Sequence, residues 1–569
     1  MAEPPIHTTT TPVLIIGGGI VGLSASLFLS SHSIPHQLIE RHPTTSQHPR
    51  ARGLNTRAME IFRSIGIDAA VREAGASLSP SNGIVKGSSF VQVMERMTRK
   101  EVDVDGDGKR GAMPLAGWLD GVVSPTEGAR CTQDKMEPVL AKAASERGGD
   151  LRYNTQCEGV EQDEQGVTVT LRDREPPYTV STIRAQYLIA ADGASSPMRK
   201  ALGIGTTGKG ALGNLINILF RADLSALVRG REISLCTIVQ PSLRGLLTAI
   251  NNSDIWVFHL CYDPDEEKAG AYTTERVADL LRLAIGIPDL DIEIKSMIPW
   301  QPSDVAAQSM QRGRIFLAGD AAHQTTPYAG QGATTGIADV FDLCWKLACV
   351  LSGQASSSLL ETYESERLPV ARFVTRESGE LADEYGLPDM KRGKVTWAWN
   401  MARRLPMIVG FGYQYSDSAA VINEEEPLGW MSWWHVPWSV QSLVLGINGK
   451  PGTRVPHVWV HDAAGERVST LDLCGKTLTF LLLTGSQGKA WCQAADDVAE
   501  KMGVGLQAYR VGPTGDVSDA KRRWEFAAGI GARGALLVRP DGFVAWRVKD
   551  QQGDLGERLG GVLRKILCR

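Results

Sequence analysis

The first forty residues constrain the fold more than any other stretch. Pro12-Val13-Leu14-Ile15-Ile16 is a short apolar run ending at glycine, the pattern of a strand buried on both faces. Gly17-x-Gly19-x-x-Gly22 follows, residues 20–30 read as a helix, and Gln37-Leu38-Ile39-Glu40 reads as a second strand ending in an acid. The result is one βαβ unit. Gly17 lets the chain turn sharply, Gly19 lets a pyrophosphate approach the backbone, and Gly22 lets helix and strand pack closely. The helix then points unpaired N–H groups at the phosphates. Glu40 lies eighteen residues past Gly22, where an acid can accept from ribose hydroxyls. By itself this fingerprint fits any dinucleotide-binding protein.

The rest of the composition narrows the class. A chain of 569 residues is expected to form two or three domains. Its 43% apolar and 22% charged content is that of a globular protein, and a net charge of −4 leaves no basic footprint for nucleic acid. Nine cysteines are scattered without a Cys-x-x-Cys pair or a cysteine–histidine cluster, which fits free thiols in a reducing, cytoplasmic setting and no metal. The apolar segment 13–29 resembles a signal peptide or membrane span. No Lys or Arg precedes it, however, and the fingerprint glycines interrupt it, so no span is expected.

Further along, residues 79–115 are rich in Gly, Ser and Asp and read as loops over the site. Alternating segments such as 215–220 and 255–260 predict a largely antiparallel sheet inserted into the nucleotide-binding domain. Helical spacing returns after Gly332, with Ile337, Val340, Phe341, Cys344, Leu347, Ala348 and Leu351 on one face. A linker is expected near Glu424-Glu425-Glu426-Pro427, followed by a small α/β domain.

Two more motifs complete the picture. Ala191-Asp192-Gly193-Ala194-Ser195-Ser196-Pro197-Met198-Arg199 follows an apolar strand, and Arg314-Ile315-Phe316-Leu317-Ala318 leads into Gly319-Asp320-Ala321-Ala322-His323. In this order and spacing the three motifs resemble the FAD-dependent aromatic hydroxylases, single-component monooxygenases that take a hydride from NADPH or NADH. The resemblance implies that Asp320 bonds the flavin's ribityl chain. It implies that the loop Pro327-Tyr328-Ala329-Gly330-Gln331-Gly332 passes the isoalloxazine ring, with the following helix N-terminus facing its N1–C2=O edge. Reduced flavin is negative there, which a helix dipole stabilises. The family usually has a bulky apolar residue and Asn where Ala333 and Thr334 stand. Glu40 and Arg41 close the second strand, Asp192 touches FAD, and Gln133 in Thr132-Gln133-Asp134-Lys135-Met136-Glu137 contacts it from a helix start. Pro49-Arg50-Ala51-Arg52-Gly53-Leu54-Asn55 resembles an arginine loop beside the flavin; the sequence leaves open whether Arg50 or Arg52 faces it. Arg199 reads either as a phosphate ligand or as a solvated surface residue, and His323 as a local packing or capping residue.

Residues 451–457 and 534–547 resemble the thioredoxin-like tail of the phenol hydroxylase and aromatic polyketide hydroxylase branch. Without a dithiol that domain is expected to be redox-inert and to serve packing or subunit contact. The fold expected is therefore α/β: a Rossmann-like FAD domain (1–80, 110–200, 305–370), an inserted β-sheet substrate domain (80–110, 200–305), a helical connection (370–425) and a thioredoxin-like domain (426–569). By resemblance, reduced flavin and O2 give a C4a-hydroperoxide that hydroxylates a phenolic or polycyclic aromatic, polyketide-type substrate. Baeyer–Villiger oxidation, epoxidation and simple dehydrogenation stay open, and a homodimer is implied by resemblance alone. No catalytic residue is named by the sequence; His259 and Tyr262, in the inserted sheet, read as core or surface groups. Trp397-Ala398-Trp399 does not continue as the flavin halogenase signature. Asp103-x-Asp105-x-Asp107-Gly108 opens like a calcium loop but has Pro114 where the bidentate Glu belongs.

Overall fold

The computed structural model describes residues 8–50, 52–78, 83–99, 122–327, 330–388, 404, 408, 410–423, 445–474, 478–551 and 553–569. The calcium-like segment, the 424–427 linker and Trp397–Trp399 lie outside them, as do Tyr328 and Ala329.

The fingerprint strand Thr8–Ile16 is the hub of an eight-stranded sheet. It pairs in parallel with His36–Ile39 on one side and with Val180–Ala190 on the other; Asp150–Arg152 and Ile315–Leu317 extend the parallel set outward. Leu14, Ile15, Leu188, Ile189, Phe316 and Leu317 are inaccessible to solvent, as strands covered on both faces must be. The fingerprint helix Ile20–Ser31 and the long helix Gly332–Leu351 cover one face, with Phe28 edge-on to Phe341 at 5.0 Å. The parallel strands all end near one edge, so the Gly17, Asp192 and Asp320 turns converge there.

The inserted sheet has six strands in the order Glu293–Trp300, Leu215–Arg221, Ile255–Cys261, Leu243–Ala249, Leu235–Gln240, Ile84–Gly87. All pairs are antiparallel except the last. Its outer face (Ile216, Ile218, Phe220, Cys236, Ile238) packs on helices Phe90–Thr98 and Thr274–Ile285. Here the loop expectation for 79–115 is corrected in its described part. Val85 and the Phe90, Val93, Met94 face of an amphipathic helix complete that core, so a Ser/Gly-rich border concealed a strand–helix unit.

The C-terminal sheet places parallel Phe480–Thr484 and Leu506–Gly512 beside antiparallel Ala535–Val538 and Val544–Val548, with helices Lys489–Met502 and Leu555–Ile566 on one face. Its core is continuous with the far end of the long helix, where Trp345 and Cys349 join Trp491 and Trp546. All nine cysteines are free. Among the described residues, no helix is long and apolar enough to cross a membrane.

Candidate flavin and substrate site

The fingerprint glycines are sterically obligatory. A Cβ on Gly17, at φ +110°, would lie 2.2 Å from the Ala191 carbonyl oxygen, and one on Gly22 would lie 1.8 Å from the Gly17 carbonyl oxygen. At Gly19 the nearest atom would be Glu137 Oε1 at 3.6 Å, so this face stays open to a ligand. Glu40 accepts from the N–H of Gly18 (2.6 Å) and of His42 (2.8 Å), which fixes its carboxylate at the mouth of the turn. Arg41, next to it, is exposed and hydrogen bonds His42.

Asp320 sits deep in the protein yet its side chain is open to solvent, the combination expected of a group facing a cleft. Burial pushes its carboxyl above the usual range, against the pull of His323 and Arg50. A Cβ on Gly332, the first residue of the long helix, would lie 3.7 Å from Asp320 Oδ1. The helix N-terminus thus stands against Asp320. Pro327 is exposed, and Gly330 takes φ +63° with open space around it and donates to the Pro327 carbonyl. An open glycine turn, a recessed acid and a helix N-terminus at one sheet edge have the chemistry that a dinucleotide such as FAD requires.

The two arginines part company. Arg50 is exposed and near enough to Asp320 for their charges to interact. Arg52 turns away to Ser234 on the inserted sheet, donating to its carbonyl and hydroxyl at 3.3 Å. Burial and neighbouring Arg130 lower the Arg52 guanidinium to about 10, and its Nη2 has no partner. Gly53 carries this loop onto a two-residue ladder with Arg130.

Other expectations shift. Asp192 spends its carboxylate locally, accepting from Ser196 Oγ (2.6 Å) and Met198 N–H (2.9 Å) to cap a short helix. Arg199 is neither solvated nor free: it is buried and donates to the Ala321 carbonyl at 3.0 Å, because its helix packs beneath the Asp320 turn. Gln133 donates to Glu137 (2.6 Å), and Glu137, given no role by the sequence, also accepts from Ser46 N–H (2.7 Å) and from Ile20. This buried acid, raised by burial, ties the arginine loop to the fingerprint helix. The Gln-x-x-x-Glu spacing, one helical turn, was the available signal.

The inner face of the inserted sheet looks onto this loop. Thr237, Leu246, His259, Asn217 and Ile298 form one row across five strands. Asn217 Oδ1 meets His259 Nδ1, and Thr248 Oγ1 lies 3.1 Å from Nε2. A carbonyl oxygen only accepts, so Nδ1 carries the proton and Nε2 accepts from the Thr248 hydroxyl. Burial and nearby His48 lower His259 to about 3, so it is neutral and fully engaged. It is half-buried on this wall, not a core or surface group as expected; Tyr262 instead packs on Tyr272 outside it. Thr237 Oγ1, Ser296 Oγ and Trp300 Nε1, also on this face, have no partner.

His48 is the residue the sequence reading missed altogether. Its ring is buried, neither nitrogen has a hydrogen-bond partner, and it lies close enough to His259 for their charges to interact. Burial first, then Arg50, lowers it to about 4, opposed by Asp134. A lone histidine two residues before the arginine loop carries no periodic or motif signal.

This assembly has the parts of a flavoprotein oxygenase: a dinucleotide cradle and a separate wall that mixes apolar side chains with hydrogen-bonding ones. Comparison agrees. Residues 10–378 match the family described as FAD binding domain, and residues 448–569 the aromatic-ring hydroxylase C-terminal domain. The chain is 37% identical to tetracenomycin A2 monooxygenase-dioxygenase of Streptomyces glaucescens, over 99% of this chain and 98% of that one. It is 35% identical to aklavinone 12-hydroxylase of Streptomyces purpurascens, over 98% and 99%. The crystal structure of aklavinone-11 hydroxylase with FAD and aklavinone superposes with a TM-score of 0.81 at 32% identity, covering all of both chains. The chain belongs to the FAD-dependent aromatic hydroxylase family, in the branch that carries this C-terminal domain, and is a flavoprotein monooxygenase.

Proposed function

We propose that the protein hydroxylates a phenolic or polycyclic aromatic, polyketide-type metabolite with NAD(P)H and O2. The observation that carries this reading is the inner wall. Its central row, Thr237, Leu246, His259, Asn217 and Ile298, holds no carboxylate, and the face offers unpaired hydroxyl and indole donors to ring oxygens, opposite a loop that presents a buried, unpartnered imidazole. FAD, when bound, supplies the redox chemistry that activates O2. The protein's own residues then orient the ring, exclude water and manage one proton. His48 has no partner at either nitrogen, and its imidazole is lowered to about 4, too weak to ionise a resting phenol. It can, however, accept the phenol's hydrogen bond and take the proton as oxidation of the ring makes it acidic. His259, locked by Asn217 and Thr248, orients the substrate but cannot act as base. The strand order of the C-terminal sheet, with its unpaired thiols, supports the thioredoxin-like and redox-inert reading of that domain; burial pushes its Cys474 up to about 12 and its Cys492 to about 11.

The test is NAD(P)H oxidation by the flavin-loaded protein with a panel of phenols, hydroxyquinones and related polycyclic ketones, products being read by mass spectrometry and NMR. A ligand-stimulated rate and a new ring hydroxyl are expected. An inserted ester oxygen would replace hydroxylation with Baeyer–Villiger chemistry, and oxidation without oxygen gain would point to a dehydrogenase.

A further inference from the structure

The turn that carries Asp320 is held from behind. The Gly319 N–H donates to Asp339 Oδ2 at 3.2 Å, and His323 Nε2 lies 2.6 Å from the same oxygen. Arg367 Nε donates to the other oxygen, Oδ1, at 2.9 Å. The same guanidinium donates to the Thr335 carbonyl (3.3 Å), in the first turn of the long helix, and to Tyr415 Oη (2.9 Å). Tyr415 in turn stacks on Phe543 of the C-terminal domain, with centroids 4.4 Å apart, and its N–H donates to the Gly452 carbonyl at 2.9 Å. His323, Asp339, Arg367 and Tyr415 are each 5% exposed or less, so these four side chains are buried.

Burial alone would favour a neutral Asp339, but His323 and Arg367 outweigh it and hold the carboxyl below its usual range. The carboxylate is therefore an ionised clamp. Directly at the Gly319 amide beside Asp320, and through Arg367 at the Thr335 carbonyl, it joins two separate pieces of backbone. Charge-assisted hydrogen bonds in a low-dielectric interior are directional and strong, so the clamp fixes the spacing of the two pieces. No member of the path reaches the cleft itself.

We propose that the C-terminal domain fixes the geometry of the FAD site through this path, with Asp339 and Arg367 as positioning residues and Tyr415 as their link to Phe543. The inference rests on FAD lying between the Asp320 turn and the Gly332 helix start. It gives the C-terminal domain a role in cofactor retention, in a chain where it carries no dithiol.

The experiment titrates apoprotein with FAD, following flavin fluorescence, and records melting temperatures with and without FAD. Asp339→Asn should raise the FAD Kd about tenfold, the size expected for hydrogen bonds to a charged group. Tyr415→Phe, which deletes only the hydroxyl that Arg367 engages, should raise it about threefold and leave a folded chain even if Asp339→Asn does not. The double variant should be no worse than Asp339→Asn alone, since both act through one path. An unchanged Kd, with apo and holo melting temperatures lowered equally, would make the path structural only and overturn the proposal. Additive effects would overturn the link between its two ends. Failure of the wild-type protein to bind FAD would count against the flavin site itself.

Discussion

Replacing Arg539 with Met should destabilise the full chain by about 3–5 kcal/mol, the cost of leaving buried carboxylates without their cation. Arg539 is 1% exposed and reaches from the C-terminal domain into the flavin domain. Its Nη1 and Nη2 donate to Glu366 at 2.6 and 2.9 Å, Nη2 reaches Asp342 at 3.3 Å, and Nε donates to Asp541 at 3.1 Å. Lys346 lies between Asp342 (2.7 Å) and Glu366 (2.9 Å). The three acids have the spacing of a metal site, but these two cations occupy it. Three carboxyls against two cations leave one negative charge in excess. Burial and Glu366 accordingly drive Asp342 well above the usual range, while Arg539 and Lys346 hold Glu366 below it. Without Arg539 the pull that holds Glu366 down is weakened and Asp342 loses one of its two cations. The folded pKa of Glu366 then rises from below the usual range, and that of Asp342 rises further above the unfolded value of about 4. A raised carboxyl stabilises the fold below its unfolded pKa and loses that contribution as pH rises through the folded one. The deficit of Arg539→Met should therefore be smaller near pH 5.5 than near pH 8, as measured by the melting temperature of the variant against wild type. Arg539→Lys, which keeps the charge but not the planar fork, should recover part of it. A deficit equal at both pH values would assign the loss to packing.

The parts of this molecule that could be read from sequence are those whose physics is local. Gly22 is required by a clash with the Gly17 carbonyl five residues back, and Glu40 is held by the amides of Gly18 and His42, all within one βαβ unit. The turn at Asp320 could be placed for the same reason. Local reading failed where a side chain's partner is distant. Arg199 and Ala321 are far apart in the chain but in contact in the fold. His48 gains meaning only from facing His259, and the Asp339–Arg367–Tyr415 path crosses three segments. Asp192 shows the converse: a residue singled out by its motif whose carboxylate is engaged with its own helix. The 79–115 region misled because Gly and Ser describe its borders, whereas Val85, Phe90, Val93 and Met94 determine its packing.

For His48→Asn, turnover of a phenolic substrate should fall by about 10²–10³-fold while FAD content and substrate affinity change little, the range lost when a positioned general base is removed. The wild-type imidazole, lowered to about 4 by burial and Arg50, is already unprotonated throughout the range from pH 6 to 8. Its contribution to the rate should therefore be flat there. In the variant the substrate must arrive already ionised. The rate should then climb about tenfold per pH unit until the substrate's own phenol pKa is reached, so that the two enzymes converge at high pH. Measuring kcat/KM from pH 6 to 9 with two phenols of different acidity separates the possibilities. If His48 is the base, the variant's profile shifts with the phenol and the wild type's does not. Parallel profiles for the two enzymes would remove His48 from proton transfer. Loss of FAD from the variant would place the imidazole in the cofactor's support, through the same loop that carries Arg50 to the Asp320 cleft.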